Sequence, residues 1–378
     1  FNASSINLTN SRTNAGGNTT LTATAGGIDN TRGALQTAGS VTLNASGAIT
    51  NDYGSITATR LTGNAASLSN QGGTLTSAGK TDLTISGSLA NTGGNIQSGA
   101  ALNVNAASLD NNAGRIASLN ADGLTLTTTG LLTNTAGGLI GGNGNVSLNA
   151  GSIVNAANIT ARNNLVAHTA STLDNSHGKL ISGGVLTANA GTTLNNSSGT
   201  IDAGILASIS AAQLTNTTGS IIASQLGITA TDLGNQSGSI VQTGTGATTL
   251  AITNLLDNTG GTIKTNSTDL SLTPQTLKND QGTIAHAGQG ILNIRTTGAS
   301  SNNGGSIATN GQLTLNAASI SNKGGALSAQ KQALLNSLSY FDNSLSGYIG
   351  ADSLSITATG QLDNTGGKIE ASNGLTLN

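Results

Sequence analysis

A parallel β-helix, an all-β solenoid of about eighteen coils with a period of about 20–21 residues, is the fold that the sequence predicts over residues 1–378. Three observations lead there. The stretch LDNTGGKI, Leu362–Ile369, returns as LDNTGGTI at 256–263 with one change. Reading outward from it gives a template: an aliphatic residue, any residue, Asn, two variable residues, Gly, any residue and a second aliphatic residue. Apolar residues pair at a spacing of two, which places them on one face of a strand, and no segment shows the three-to-four spacing of a helix. The composition agrees, with 54 Gly, one Pro, a single Glu and no Met.

Aligned on the Asn, the copies fall at Asn10, Asn30, Asn51, Asn70, Asn91, Asn111, Asn134, Asn155, Asn175, Asn196, Asn216, Asn235, Asn258, Asn279, Asn302, Asn322, Asn343 and Asn364. Their spacing is shortest between pairs such as Asn51 and Asn70 and longest between pairs such as Asn111 and Asn134. Sixteen of the eighteen carry Leu or Ile two places earlier, the exceptions being Ser300 and Phe341. Fifteen carry Gly three places later and Leu or Ile five places later. A second apolar pair follows in most copies, such as Val41 and Leu43 or Leu313 and Leu315. So regular a period means a solenoid, either a β-helix or a leucine-rich repeat, and these copies lack the residues for the convex arc of the latter. Disorder, the other reading of so polar a chain, does not require aliphatic residues at fixed phase.

Each recurring place in the template has a physical reason. The aliphatic residues face inward as columns. The Asn lies two residues after one of them and so also points in, where stacked amides pair with one another and with turn backbone. Asn30, Asn51, Asn70, Asn91, Asn111, Asn134, Asn175, Asn196, Asn216, Asn235, Asn258, Asn279, Asn322 and Asn364 are expected to form this structural ladder. The Gly three residues on is expected at a positive φ, where a Cβ is costly. The copy at Asn155 places Asn158 there and its aliphatic residue, Ile159, one place early, so that coil should be one residue short. Coils starting at Asn111, Asn235 and Asn279 are the longest, and their extra residues should bulge outward at turns. Pro274, which has no N–H, belongs in a turn between Leu272 and Leu277.

Composition narrows function. The net charge is -2 and the thirteen basic residues form no run, so nucleic acid is not an expected partner. Cysteine is absent, which removes disulfides and thiol chemistry. No apolar run of about eighteen residues crosses a bilayer, and FNASSINLTN has neither the basic nor the apolar part of an export signal. The register runs to both ends without a cap, so the chain is expected to be one continuous segment of a longer fibre.

Candidates for chemistry are few. Asp342 and Asp363 hold equivalent places one coil apart, as an acid–base pair of a polysaccharide-cleaving enzyme would, but Asp29, Asp110, Asp174 and Asp257 hold the same place, which is the pattern of a turn former. His168, His177 and His286 lie at different phases with no recurring carboxylate, so neither a metal nor another cofactor is expected. GGNGN at 141–145 reads as a wide turn, and Thr pairs such as Thr22 and Thr24 do not recur at one phase. The least regular stretch, Ala329–Ile349, holds Tyr340, Phe341 and Tyr348. Phe341 falls at the inward Leu place and fills a wider coil, whereas Tyr340 and Tyr348 fall on turn sides and are candidate contacts for a partner or glycan.

The repeats resemble those of filamentous haemagglutinins, exoproteins of two-partner secretion in Gram-negative bacteria, through the motif quoted at 89–96 (LANTGGNI) and 320–327 (ISNKGGAL). They resemble equally the stalk repeats of contact-dependent growth inhibition effectors. The resemblance implies a right-handed β-helix, export through an outer-membrane transporter partner, and a secreted or cell-surface location. It also implies a structural stalk that presents a distal adhesive or toxin-delivery module and is not itself an enzyme. The alternatives are a segment that itself recognises a surface receptor and, from the carboxylates, a polysaccharide-cleaving β-helix.

Overall fold

The computed structural model describes residues 1–378. It contains forty-eight strands and no helix, and the paired strands run parallel, stacked as a β-solenoid of about eighteen coils. Two compact units, Phe1–Gly191 and Thr192–Asn378, are built on the same plan.

One coil of the first unit shows that plan. A long strand, Arg60–Ala65, a short one, Ser67–Ser69, and a third, Thr74–Ser77, follow each other across two bends. Each lies in register on its counterpart one coil later: Gly63 on Leu83, Leu68 on Leu89 and Leu75 on Ile96. Alternation then buries one residue in two, because successive side chains of a strand point to opposite faces. Third-strand positions fill the core with Leu35, Ile56, Leu75, Ile96, Ile116, Ile140, Ile159 and Leu180 in the first unit, and with Ile201, Ile221, Ile240, Ile263, Ile284, Ile307, Leu327 and Ile349 in the second.

The turn after the short strand is where sequence and structure diverge in detail. Positive φ occurs two residues after the Asn, at Arg32, Tyr53, Gly72, Gly93 and Ala113 among others, and at the Gly three residues after it only in the long turn after Asn134, where Gly137 has φ 82°. That Gly is required by space. A Cβ on Gly219 would enter the carbonyl oxygen of Asn196 one coil earlier and come within 2.6 Å of the Oδ1 of Asn216. The expectation of a left-handed Gly therefore had the right residue and the wrong reason.

Three registers are corrected as well. Ile6 pairs with Ile28, so Leu8 occupies the Asn place of the first coil, and Asn10, at φ 51°, sits in the left-handed place of the turn. Ile140 pairs with Ile116, six residues after Asn134, so Leu139 faces partly outward and that turn holds one extra residue. Ile140 also pairs with Ile159, so the coil at Asn155 is one residue short; Ala157 rather than Asn158 then stands in the Gly place, and Asn158 is exposed. Extra residues of the longest coils lie in turns at 119–123, 243–248 and 287–290, and Pro274 lies between strands Leu270–Leu272 and Thr276–Lys278.

Candidate functional site

The recurring Asn–Gly turn uses its polar groups internally. Asn216 is buried, accepts at Oδ1 from the Nδ2 of Asn196 (2.7 Å), and donates from its own Nδ2 to the Oδ1 of Asn235 (2.7 Å) and to the carbonyls of Gly219 and Ser239. Such amide–amide bonds run from Asn30 to Asn175 in the first unit. In the second they run from Asn196 to Asn364. The aspartates that precede the ladder are also engaged: Asp29, Asp110, Asp174, Asp257, Asp342 and Asp363 each accept at Oδ1 from the backbone N–H two residues later. This is the Asx-turn bond that fixes the chain's exit from the short strand.

The coil that breaks the template differs. Ala317 pairs with Ser337 and Ile320 with Phe341, so one residue is inserted before the short strand Phe341–Asp342. Leu327 pairs with Ile349, six residues after Asn343, so a second is inserted after it. Phe341 points inward and is fully buried. The Tyr340 hydroxyl donates to the Oδ2 of Asp342 (3.2 Å) and lies 3.4 Å from the Oδ2 of Asp363, while Lys323 Nζ stands 3.0 Å from Asp342.

These contacts set the titration of the group. Burial pushes Asp342 upward, but the hydroxyl and N–H of Ser344 together with Lys323 outweigh it and hold the carboxyl below its ordinary value. Asp363 is lowered by the hydroxyl and N–H of Thr365. Tyr340 is raised by desolvation and by the Asp342 carboxylate. Both carboxylates therefore stay ionised at neutral pH, whereas a general acid needs a raised one.

Tyr348 opens the third strand, with its ring lying over Gly350, and interacts with Lys368 and Glu370. Its partners share no residue with those of Tyr340. Two residues that the sequence reading missed stand out instead. Leu338 and Leu345, one on each insertion, are 73% and 71% exposed, the highest values of any leucine in the chain. The available signal was the break in the template spacing, on both sides of Phe341.

Of the histidines, His168 is exposed on a strand and His177 is exposed at a left-handed turn place. His286 is buried between the hydroxyl of Thr309 (2.9 Å) and the carbonyl of Ser267 (2.8 Å), and desolvation holds its pKa below the ordinary imidazole value.

Comparison with known proteins fits this repetitive architecture. Haemagglutinin repeat segments match residues 1–93, 64–136, 121–217, 181–260, 265–366 and 347–378. The chain belongs to the haemagglutinin repeat family. Within that family it is 39% identical over 300 residues to the tRNA nuclease CdiA-2 of Burkholderia pseudomallei strain 1026b, a contact-dependent growth inhibition protein of the two-partner secretion class. The match takes in 71% of this chain and 10% of that protein. No solved structure matches the chain. The family membership suggested by the motif is therefore established, and the haemagglutinin repeat solenoid is a structural fold.

Proposed function

We propose that this chain is a stalk segment of a secreted, cell-surface exoprotein of a Gram-negative bacterium, exported through an outer-membrane transporter, and that it holds a distal adhesive or toxin-delivery module away from the producing cell without catalysing a reaction itself. The observation that carries this reading is the recurring turn: Asn and Gly repeat coil after coil, with the Asn amides bonded to those of neighbouring coils and the Asp carboxylates, where present, bonded within their own turn. A ligand site is normally one place, whereas this signal spans both units. The curated relative, named a tRNA nuclease, matches over only a tenth of its length, which suits a repeat segment accompanied by separate functional parts.

Removing whole coils tests the proposal. Deleting residues 51–90 from the parent exoprotein joins two equivalent ladder positions, so the truncated protein is expected to reach the surface and keep the activity of its distal module. Normal surface display with complete loss of that activity would refute a spacer role; the second reading is that the segment itself recognises a receptor, through residues that this deletion leaves in place. Tyr340 and Tyr348 are the residues for that reading, and a Tyr340→Ala, Tyr348→Ala double variant would then lose attachment.

A further inference from the structure

The two insertions around Phe341–Asp342 are not needed by the solenoid, since neighbouring coils make the same bends without them. Each puts a leucine into solvent. The second also holds Leu345 and Ser346 at φ 55° and 69°, two successive non-Gly residues in the left-handed region, where each Cβ is strained. The turn after Asn134 takes similar φ values with Ala136 and Gly137, so the Leu345–Ser346 pair serves no need of the fold and points to a contact outside it. The surface between the leucines carries both signs of charge. Arg295 lines a groove of about 570 Å³ with Leu338, and Asp363 lies at the other side, beyond the Lys323–Asp342 pair and Tyr340. A patch with an apolar residue at each side, a free cation near one and a carboxylate near the other is complementary to itself under a twofold rotation.

We propose that this face of the Thr192–Asn378 unit is a self-association surface that takes a second copy of the chain about a twofold axis, with Leu338 against the partner's Leu345 side and Arg295 facing the opposing carboxylate. The apolar patch is smaller than the roughly 800 Å² per partner of a standard stable interface, so the pairing is weak and reversible.

Sedimentation equilibrium on the intact chain decides it. A monomer–dimer equilibrium that tightens at low salt is expected. The Leu338→Ser, Leu345→Gly variant should weaken it by about tenfold or more, with a melting temperature of the dilute monomer equal to or above that of the parent, which separates lost contact from lost fold. Arg295→Glu and Asp363→Lys should each weaken the dimer, and an equimolar mixture of the two should restore it as a heterodimer, because opposite charges then face each other across both halves. A parent chain that stays monomeric up to about 1 mM would overturn the proposal. So would a dimer indifferent to the leucine variant, or charge variants that fail to complement one another; any of these would assign the exposed leucines to a different partner.

Discussion

Two turns of the molecule, after Asn134 and after Asn343, each carry one extra residue and place two successive residues at positive φ. Residues 136 and 137 have φ values of 50° and 82°, and residues 345 and 346 have 55° and 69°. The first turn is built from Ala136 and Gly137 and the second from Leu345 and Ser346. Since Ala–Gly suffices for the conformation, Leu–Ser is not a requirement of folding. Elsewhere the left-handed place accepts Arg, Tyr, His, Thr or Gln as readily as Gly, while the place next to it is Gly in nearly every coil. Conformational strain of about 1–2 kcal/mol per residue is tolerated, whereas a Cβ inside a neighbouring carbonyl is not.

The largest expected effect follows from that contrast. Gly219→Ala should cost the upper end of the roughly 1–3 kcal/mol overpacking range or more, because its Cβ meets the Asn196 carbonyl and the Asn216 amide, neither of which has room to yield. Gly324→Ala, at φ 59° and 3.2 Å from the Leu345 carbonyl, should cost only about 1–2 kcal/mol. Urea unfolding of the two variants ranks them, and equal losses would remove the distinction between space and strain. Next in size, Asn216→Ala should cost about 1–3 kcal/mol by removing the amide–amide bonds to Asn196 and to Asn235 from the buried ladder. An unchanged unfolding midpoint would mean that the amide chain contributes nothing to stability.

Exchanging the two long turns tests the comparison directly. Ser346→Gly should stabilise the chain by about 1 kcal/mol and Gly137→Ser should destabilise it by a similar amount, since only the strain changes sign; Leu345→Gly should likewise stabilise the chain by about 1 kcal/mol. A loss of stability in Leu345→Gly would show that Leu345 packs usefully within its own chain.

How much of this was legible follows from what each residue depends on. The inward columns and the short coil at Asn155 could be read because they depend only on sequence spacing. The inward place of Phe341 could be read for the same reason. The cause of the Gly could not, since whether a Cβ meets a carbonyl one coil away is a distance between residues far apart in the chain. The inward residue after Asn134 was misread because the insertion left an aliphatic residue, Leu139, at the expected spacing, and only the pairing of Ile116 with Ile140 reveals the shift. Exposure of Leu338 and Leu345 was hidden similarly: two insertions in one coil leave its neighbours in phase, so the disturbance is local and the period barely registers it.

The smallest effect concerns the start of the ladder. Asn30 Oδ1 is buried and has no hydrogen-bond partner, because Leu8 stands one coil earlier where an Asn would donate to it. Leu8→Asn would supply that donor. Leu8 is only partly buried, so little apolar area is given up, and the gain should be about 1 kcal/mol, the net contribution of one amide hydrogen bond. Slower hydrogen exchange in the turn at 30–33 and a raised unfolding midpoint are the expected results. Faster exchange there would mean that Leu8 does more for the first coil by packing than an amide would by bonding. Unlike the Asn216 deletion, this change adds a ladder member, so it measures the value of one amide–amide contact without leaving a neighbour orphaned.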